Sequence, residues 1–297
     1  MKQKFEEWML RPLLHVADAN VVYQPRPGAY GIIRNDRNEI LLVKEEPGFY
    51  LPGGGQDPGE NLPQALVREI HEELQANVVG WEYLVAADDC RWSPFYQKQY
   101  RIQGHYFLAQ LDQTQHLQPE PGATLHWVAL EEAANKMARV NERWIMEQLS
   151  GPLQLQASEQ FEQLWPLLNE GLSIESELYG VDPKLAQQLF ALGSQERCYR
   201  YLDEQGRIIG AIGIQPRHDN LTITRLVVDP KHQRQGLAAS MIQQVVNWFP
   251  GLAFGVATGA LNRPALALYE KLGFHPVREY QGEQSVPCIL LHRAGSN

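Results

Sequence analysis

Gly53-Gly54-Gly55-Gln56-Asp57-Pro58-Gly59-Glu60-Asn61-Leu62-Pro63-Gln64-Ala65-Leu66-Val67-Arg68-Glu69-Ile70-His71-Glu72-Glu73-Leu74-Gln75-Ala76 is a glycine-rich loop that runs into an acidic helix. Three glycines cannot open a helix, so the helix is predicted to start near Glu60–Asn61, with Pro63 tolerated in its first turn. At about 100° per residue Leu66, Ile70 and Leu74 form an apolar stripe, and Glu69, Glu72 and Glu73 converge on a neighbouring one. Like charges at these spacings cost a helix about 0.2–0.5 kcal/mol per pair, which points to a cation that neutralises them. Oxygen ligands beside backbone carbonyls, with no cysteine, select a hard ion, Mg²⁺ or Mn²⁺. Taken alone, Arg-Glu-x-x-Glu-Glu describes many solvated helix faces. Its fixed distance from the glycines sets this one apart.

Gly54, five residues, Glu60, seven residues, then Arg68-Glu69-Ile70-x-Glu72-Glu73 resembles the Nudix box, G-x5-E-x7-R-E-U-x-E-E-x-G-U. The one departure is Gln75 where that family has glycine, which removes a helix-end glycine but no ligand. The resemblance implies that Glu69, Glu72 and Glu73 hold the metal with a carbonyl of Gly53 or Gly54. It implies that Glu69 or Glu73 doubles as the base, and that Arg68 pairs with Glu60 to fix the loop against the helix.

With 297 residues, 44% hydrophobic and 21% charged, the chain reads as two globular domains. A net charge of −9 argues against partners such as polymeric nucleic acid or an anionic membrane, which need a basic surface. Cys90, Cys198 and Cys288 are widely spaced and odd in number, so they suggest buried small residues rather than a disulfide framework or a zinc site. Acids in the first eight residues and the absence of any 18-residue apolar run give the expectation of a cytoplasmic protein.

Before the glycines, apolar residues in 21–34 and 38–45 flank Asn35-Asp36-Arg37-Asn38 and predict a hairpin. Phe49–Leu51 is a short strand. After the acidic helix come strands at Val78–Ala87, Gln99–Gln110 and Leu125–Leu130, then helices at Glu131–Ala138 and Glu142–Leu149. The first domain, 1–150, is thus predicted to be an α+β fold, and the resemblance implies an α/β/α sandwich. The aromatic, turn-rich segment Asp88–Tyr96 suits either stacking on a nucleobase or a plain hairpin tip.

Gly151-Pro152 and a glutamine-rich stretch place a linker near 150–157 and a second domain at 158–297. Helices are predicted at Ser158–Asn169 and Pro183–Leu192, followed by a meander of strands at Cys198–Leu202, Arg207–Ile214 and Leu221–Val228. Leu226-Val227-Val228-Asp229-Pro230 ends a strand, and Gln233-Arg234-Gln235-Gly236-Leu237-Ala238 opens a helix. Such a junction presents free backbone N–H groups to an anion. Together with Asn262-Arg263-Pro264 through Tyr269-Glu270-Lys271-Leu272-Gly273-Phe274, this pattern resembles the two motifs of the GNAT N-acetyltransferases. The resemblance implies a mixed-sheet α/β domain with acetyl-CoA as cofactor. In it, Val227 and Val228 hold the pantetheine arm, N–H groups of Arg234–Ala238 hold the pyrophosphate with Gln233 beside them, and Asn262 supports the arm. Tyr269 is the expected acid for the leaving thiolate, a reasonable role for a phenol. No general base stands out; His218, Glu175 and Glu177 are candidates, and the resemblance equally allows a chain of waters in that role.

The expectation is therefore a bifunctional enzyme that hydrolyses a nucleoside diphosphate linked to another group and acetylates an amine acceptor. The competing reading makes one half a non-catalytic sensor of nucleotide or CoA that regulates the other.

Overall fold

The computed structural model describes residues 21–93, 96–112, 114–155, 163–164, 166–169, 196–217, 220–249, 251–282 and 285–295. They fall into two compact units that divide between Gly151 and Pro152.

In the first unit, α1 (Leu62–Leu74) begins where the sequence indicates. The Asn61 side chain accepts the Gln64 N–H at 2.9 Å and the Gln64 side chain accepts the Asn61 N–H at 2.8 Å. This reciprocal cap satisfies two of the donors a helix start leaves open. The helix ends on Gln75, which takes the left-handed conformation (φ 50°, ψ 37°) usually given to glycine. Leu66, Ile70 and Leu74 are fully buried and pack with Ala29, Ile33, Leu41, Val43 and Phe107. Each such side chain contributes roughly 1.5–3 kcal/mol by leaving water, so the apolar stripe beside the acids seats the helix.

The expected hairpin is instead a crossover between sheets. β1 (Gln24–Ile33) lies between β4 (Gly53–Gly55) and β6 (Lys98–Leu111) in the order β4-β1-β6-β5, where β5 is Val78–Ser93. β2 (Glu39–Glu45) joins β3 (Gly48–Tyr50) and β7 (Thr124–Ala129), and the single bridge Arg34–Ile40 is its ladder contact with the β1 end. Both edges of β1 are taken and its residues 28–33 are buried, so no edge is left for β2. The glycines also depart from the expected loop, because Gly53–Gly55 pair antiparallel with Tyr30–Gly28 as a strand. Segment 88–93 continues β5 rather than forming a turn, with Asp88 buried and bonded to Arg101 at 2.7 Å. α2 (Leu130–Lys136) and α3 (Val140–Leu149) complete the unit.

The second unit is one seven-stranded sheet in the order β13-β14-β12-β11-β10-β9-β8. β9 (Arg197–Leu202), β10 (Ile208–Arg217) and β11 (Asn220–Val228) form the expected meander, and α4 (Leu237–Trp248) crosses over to β12 (Ala253–Gly259), parallel to β11. α5 (Arg263–Lys271), β13 (His275–Gln281) and β14 (Pro287–Arg293) follow. β8 (Leu153–Leu155) is the edge strand, so residues the sequence places in a linker belong to this sheet, with Leu153 and Leu155 buried against it. Of the predicted helix at 158–169, residues 163–164 and 166–169 are described and are helical; the one at 183–192 lies outside the described residues. The sheet is mixed and flanked by helices, an α/β arrangement as expected. Cys90 and Cys198 are buried and Cys288 is partly so; none is bonded to another.

Candidate active sites

In the first unit Arg68 is the organising charge. Its guanidinium donates to Glu60 at 2.7 and 3.2 Å, to Glu69 at 2.9 Å, to Glu72 at 3.0 Å and to the Gly55 carbonyl at 2.9 Å. The expected Arg68–Glu60 pair is present, and its reach to Gly55 ties α1 to β4. Hydrogen bonding to Arg68 holds the Glu60 pKa below the ordinary carboxylate value.

Glu69 and Glu72 converge as expected, but on one nitrogen of Arg68, while Glu73 turns to the glycine strand. Glu69 and Glu72 turn to Arg68, and Glu73 accepts the Gly53 N–H at 2.8 Å. Among the described residues no group of three His, Cys, Asp or Glu side chains is arranged to hold a metal ion. The Arg68 charge offsets the repulsion between the two acids that share it, and the Gly53 N–H draws Glu73 away from that pair. Burial raises the pKa of Glu69 and pushes that of Glu73 up to about 8, against the pull of the Gly53 N–H and with the Glu69 charge adding to it. Two desolvated carboxylates with hard oxygen atoms are a donor set that fits a divalent cation.

The glycines explain how the acids come so near the strand. A Cβ at Gly54 would overlap the Glu69 carboxylate, and Gly53 sits at φ +133°, which side chains rarely adopt. The carbonyl of Gly54 lies against Gly28 of β1, while Gly53 offers its N–H and Gly55 its carbonyl to the side chains of α1.

A cavity of about 200 Å³ opens beside β4, with Arg26, Arg91, Arg139, Tyr30 and Tyr100 among its lining. Sequence reasoning passed over Arg26, Arg139 and Glu142. Glu142 is fully buried in α3, accepts the Leu51 N–H at 3.1 Å and pairs with Arg139 at 2.9 Å, so it anchors the chain just before the glycines. Burial raises its pKa against Arg139. An isolated acid in Val-Asn-Glu-Arg carries no pattern that could reveal this. In Asp88–Tyr96, singled out as a stacking segment, Arg91 and Ser93 line the cavity while Trp92 is exposed.

In the second unit β11 pairs with β12 only over Asn220–Ile223. From Arg225 to Val228, including Val227 and Val228, β11 keeps its pairing to β10, and among the described residues no ladder to β12 is formed there. The loop that follows is a 3-10 turn at Pro230–His232, with the Asp229 side chain accepting the Lys231 N–H at 3.1 Å and pairing with His232 at 2.7 Å. Those contacts, the Lys231 N–H first, lower the Asp229 pKa. α4 starts at Leu237, later than the motif suggests, because Arg234 (φ 63°) and Gly236 (φ 85°) both take left-handed backbone. Among the described residues no side chain caps this end, and Arg234, Gln235 and Gly236 are exposed; a helix start leaves its first N–H groups without intrahelical partners, as an anion site requires. Gln233 and Gln235 brace the loop through the carbonyls of Val228 and Lys231, both at 3.3 Å.

Asn262 caps α5, accepting the Ala265 N–H at 3.2 Å, which occupies its side-chain oxygen. Tyr269 is buried on α5 with its ring 5.8 Å from that of Phe274. His218, Glu175 and Glu177 lie outside the described residues. The buried acid that sequence reasoning missed is Glu196, bonded to Arg225 at 2.6 and 2.7 Å and to Thr224, the residue bulged out of the β10–β11 register.

Comparison with known proteins agrees with both patterns. The NUDIX domain model matches residues 24–165 and the acetyltransferase (GNAT) family model residues 161–274. A putative 8-oxo-dGTP diphosphatase of Bacillus subtilis is 50% identical over 52 residues, 17% of this chain and 35% of its own. The [ribosomal protein bS18]-alanine N-acetyltransferase of Escherichia coli is 32% identical over 96 residues, 30% of this chain and 64% of its own. A MutT NUDIX hydrolase structure from Burkholderia pseudomallei aligns with 43% of this chain and 99% of its own, at 24% identity and a TM-score of 0.33. The chain spans 35% of the length of each of the first two curated relatives it matches. Among the described residues no helix is long and apolar enough to cross a membrane. The chain thus joins a NUDIX domain to a domain of the GNAT acetyltransferase family.

Proposed function

We propose that the first unit hydrolyses a nucleoside diphosphate linked to another group and that the second transfers acetyl from acetyl-CoA to an amine, the two activities dividing between 1–150 and 158–297. The observation that carries the first half is the pair of desolvated carboxylates, Glu69 and Glu73, pressed onto Gly54 and Gly53. Glu69, Glu72 and Glu73, with a carbonyl of Gly53 or Gly54, would hold Mg²⁺ or Mn²⁺. When bound, such an ion neutralises phosphate charge and acidifies a water.

The chain's own residues do the rest. With the Oε2 atom of Glu73 fixed by the Gly53 N–H, Oε1 is left for the ion or for a proton of the attacking water, and Glu69 or Glu73 would serve as the base. Arg68 holds Glu60, Glu69 and the Gly55 carbonyl in one arrangement, so the carboxylates are positioned before substrate arrives.

In the second unit the run of β11 at Val227 and Val228, paired to β10 but not to β12, would take the pantetheine amides, the open start of α4 the pyrophosphate, and Tyr269 would protonate the departing thiolate. The test is a thermal-shift titration with acetyl-CoA alone, which should raise the melting point because the ligand binds only the folded chain. No shift at millimolar acetyl-CoA would count against the transferase half.

A further inference from the structure

We propose that Glu196 is a positioning residue for acetyl transfer, which fixes where β11 bulges and thereby which of its backbone groups face the cofactor arm. This rests on reading the second unit as an acetyltransferase. Gly213 pairs with Arg225 and Ile214 with Ile223, so Thr224 is the extra residue on β11. The ladder from β11 to β12 ends one residue earlier, at Ile223. A bulge bends its strand and adds twist, and this one lies where the ladder to β12 stops. Backbone groups of successive residues point to opposite edges of a strand. An extra residue placed one step away would therefore turn the other set of amides towards β12. The position of the bulge decides what Leu226, Val227 and Val228 present to an arm lying along that edge.

Glu196 holds that position. Thr224 and Arg225 are neighbours in sequence, which a regular strand sends to opposite faces, yet both side chains reach the one Glu196 carboxylate. Its Oε1 accepts the Thr224 hydroxyl and the Arg225 Nε–H, its Oε2 accepts from Arg225 Nη2, and both charged side chains are buried. A two-pronged arginine–carboxylate contact fixes the plane of each partner. Glu196 stands just ahead of β9, and β10 separates β9 from β11. Gly213 of β10 leaves the space for this reach, because a Cβ there would overlap Glu196 Oε1 and lie 2.8 Å from Thr224 Oγ1. One carboxylate thus ties three strands together at the bulge. A buried ion pair adds little net stability over apolar packing, and its best attested use is to select one register among several.

Equilibrium dialysis of labelled acetyl-CoA against the full chain in chelator gives its dissociation constant. ADP is scored by the acetyl-CoA it displaces, so both constants belong to one site. ADP tests the open start of α4, and only acetyl-CoA also tests the arm along β11. Thr224→Val removes the hydroxyl and keeps the shape and the ion pair, whereas Glu196→Gln removes the charge; Thr224→Val decides if Glu196→Gln does not fold. Each should weaken acetyl-CoA by about threefold to tenfold, the scale of one misplaced hydrogen bond, with the ADP constant within about twofold of wild type. Thr224→Ser, which returns the hydroxyl, should restore the wild-type ratio. Leu153→Ala opens a cavity at β8 of the same sheet, so it should lower the melting point and leave the ratio unmoved, which separates positioning from stability. Without ligand, amide hydrogen exchange in Thr224→Val should quicken over Arg225–Val228 and not over Asn220–Ile223. Unchanged exchange, equal losses for both ligands, no displacement by ADP, or a ratio moved as far by Leu153→Ala would overturn the proposal. A wild type that binds no acetyl-CoA removes the acetyltransferase reading and the proposal with it; binding with an unmoved ratio in Thr224→Val removes the proposal alone.

Discussion

Replacing Glu73 by Gln should stabilise the metal-free protein in alkaline solution. Folding raises the Glu73 pKa from an ordinary 4.5 to about 8, first through burial and then through the Glu69 charge. The folded chain therefore binds this proton more tightly than the unfolded one. That advantage is complete below pH 4.5 and is lost as pH rises through about 8. At about 1.4 kcal/mol per tenfold change in proton affinity, the interval sets a ceiling of about 5 kcal/mol. Glu73 keeps some contact with water, which screens the charge, so on the order of 2 kcal/mol is the reasonable expectation. Glutamine keeps the shape and an oxygen for the Gly53 N–H without the charge. In chelator, melting points of wild type and Glu73→Gln should agree at pH 4.5 and separate by several degrees at pH 9, with the variant higher. Saturating Mg²⁺ should reverse the order, because the variant loses a ligand. A pH-independent difference, or a less stable variant at pH 9 in chelator, would refute the assignment of a desolvated carboxylate.

Gln75 ends α1 in a left-handed conformation that costs a side chain about 1 kcal/mol, so Gln75→Gly should raise unfolding stability by roughly 0.5–1 kcal/mol, read by denaturant melts. Fragments beginning at 152 and at 158 should differ, because the later start removes β8 with the buried Leu153 and Leu155; the shorter one should melt lower by several degrees, or fail to fold.

What the sequence made legible was whatever is local. Spacing along one helix placed Asn61, the apolar stripe and the Arg68–Glu60 pair, because all of these lie within one or two turns of each other or at a fixed motif distance. Strand identity was legible too, from runs of apolar residues, yet pairing was not. Short turn residues at 35–38 argue for a hairpin, but tertiary burial of β1 gave its edges to β4 and β6. The glycines read as a loop because nothing in three glycines encodes β1 as their partner. Mutual spacing brought Glu69 and Glu72 together, but on Arg68, a neighbour on the same face, while the Gly53 N–H, which no helix spacing reveals, drew Glu73 to the strand. The arginine cavity draws on positions 26, 91 and 139, brought together only by the fold. Likewise the short strand at Leu153–Leu155, hidden among glutamines, is specified by the edge of β9 rather than by its own pattern.

The account rests most on there being two separate chemical sites, and paired variants test this directly. Hydrolysis of a nucleoside diphosphate derivative with Mg²⁺, and acetyl transfer to an amine, are followed in wild type, Glu73→Gln and Tyr269→Phe. Glu73→Gln should lower hydrolysis by orders of magnitude and leave acetyl transfer intact. Tyr269→Phe should slow acetyl transfer while hydrolysis, and its response to saturating acetyl-CoA, stay as in wild type. Full hydrolysis by Glu73→Gln in excess chelator, or a tenfold change of hydrolysis on adding acetyl-CoA, would contradict it and favour one half as a sensor for the other.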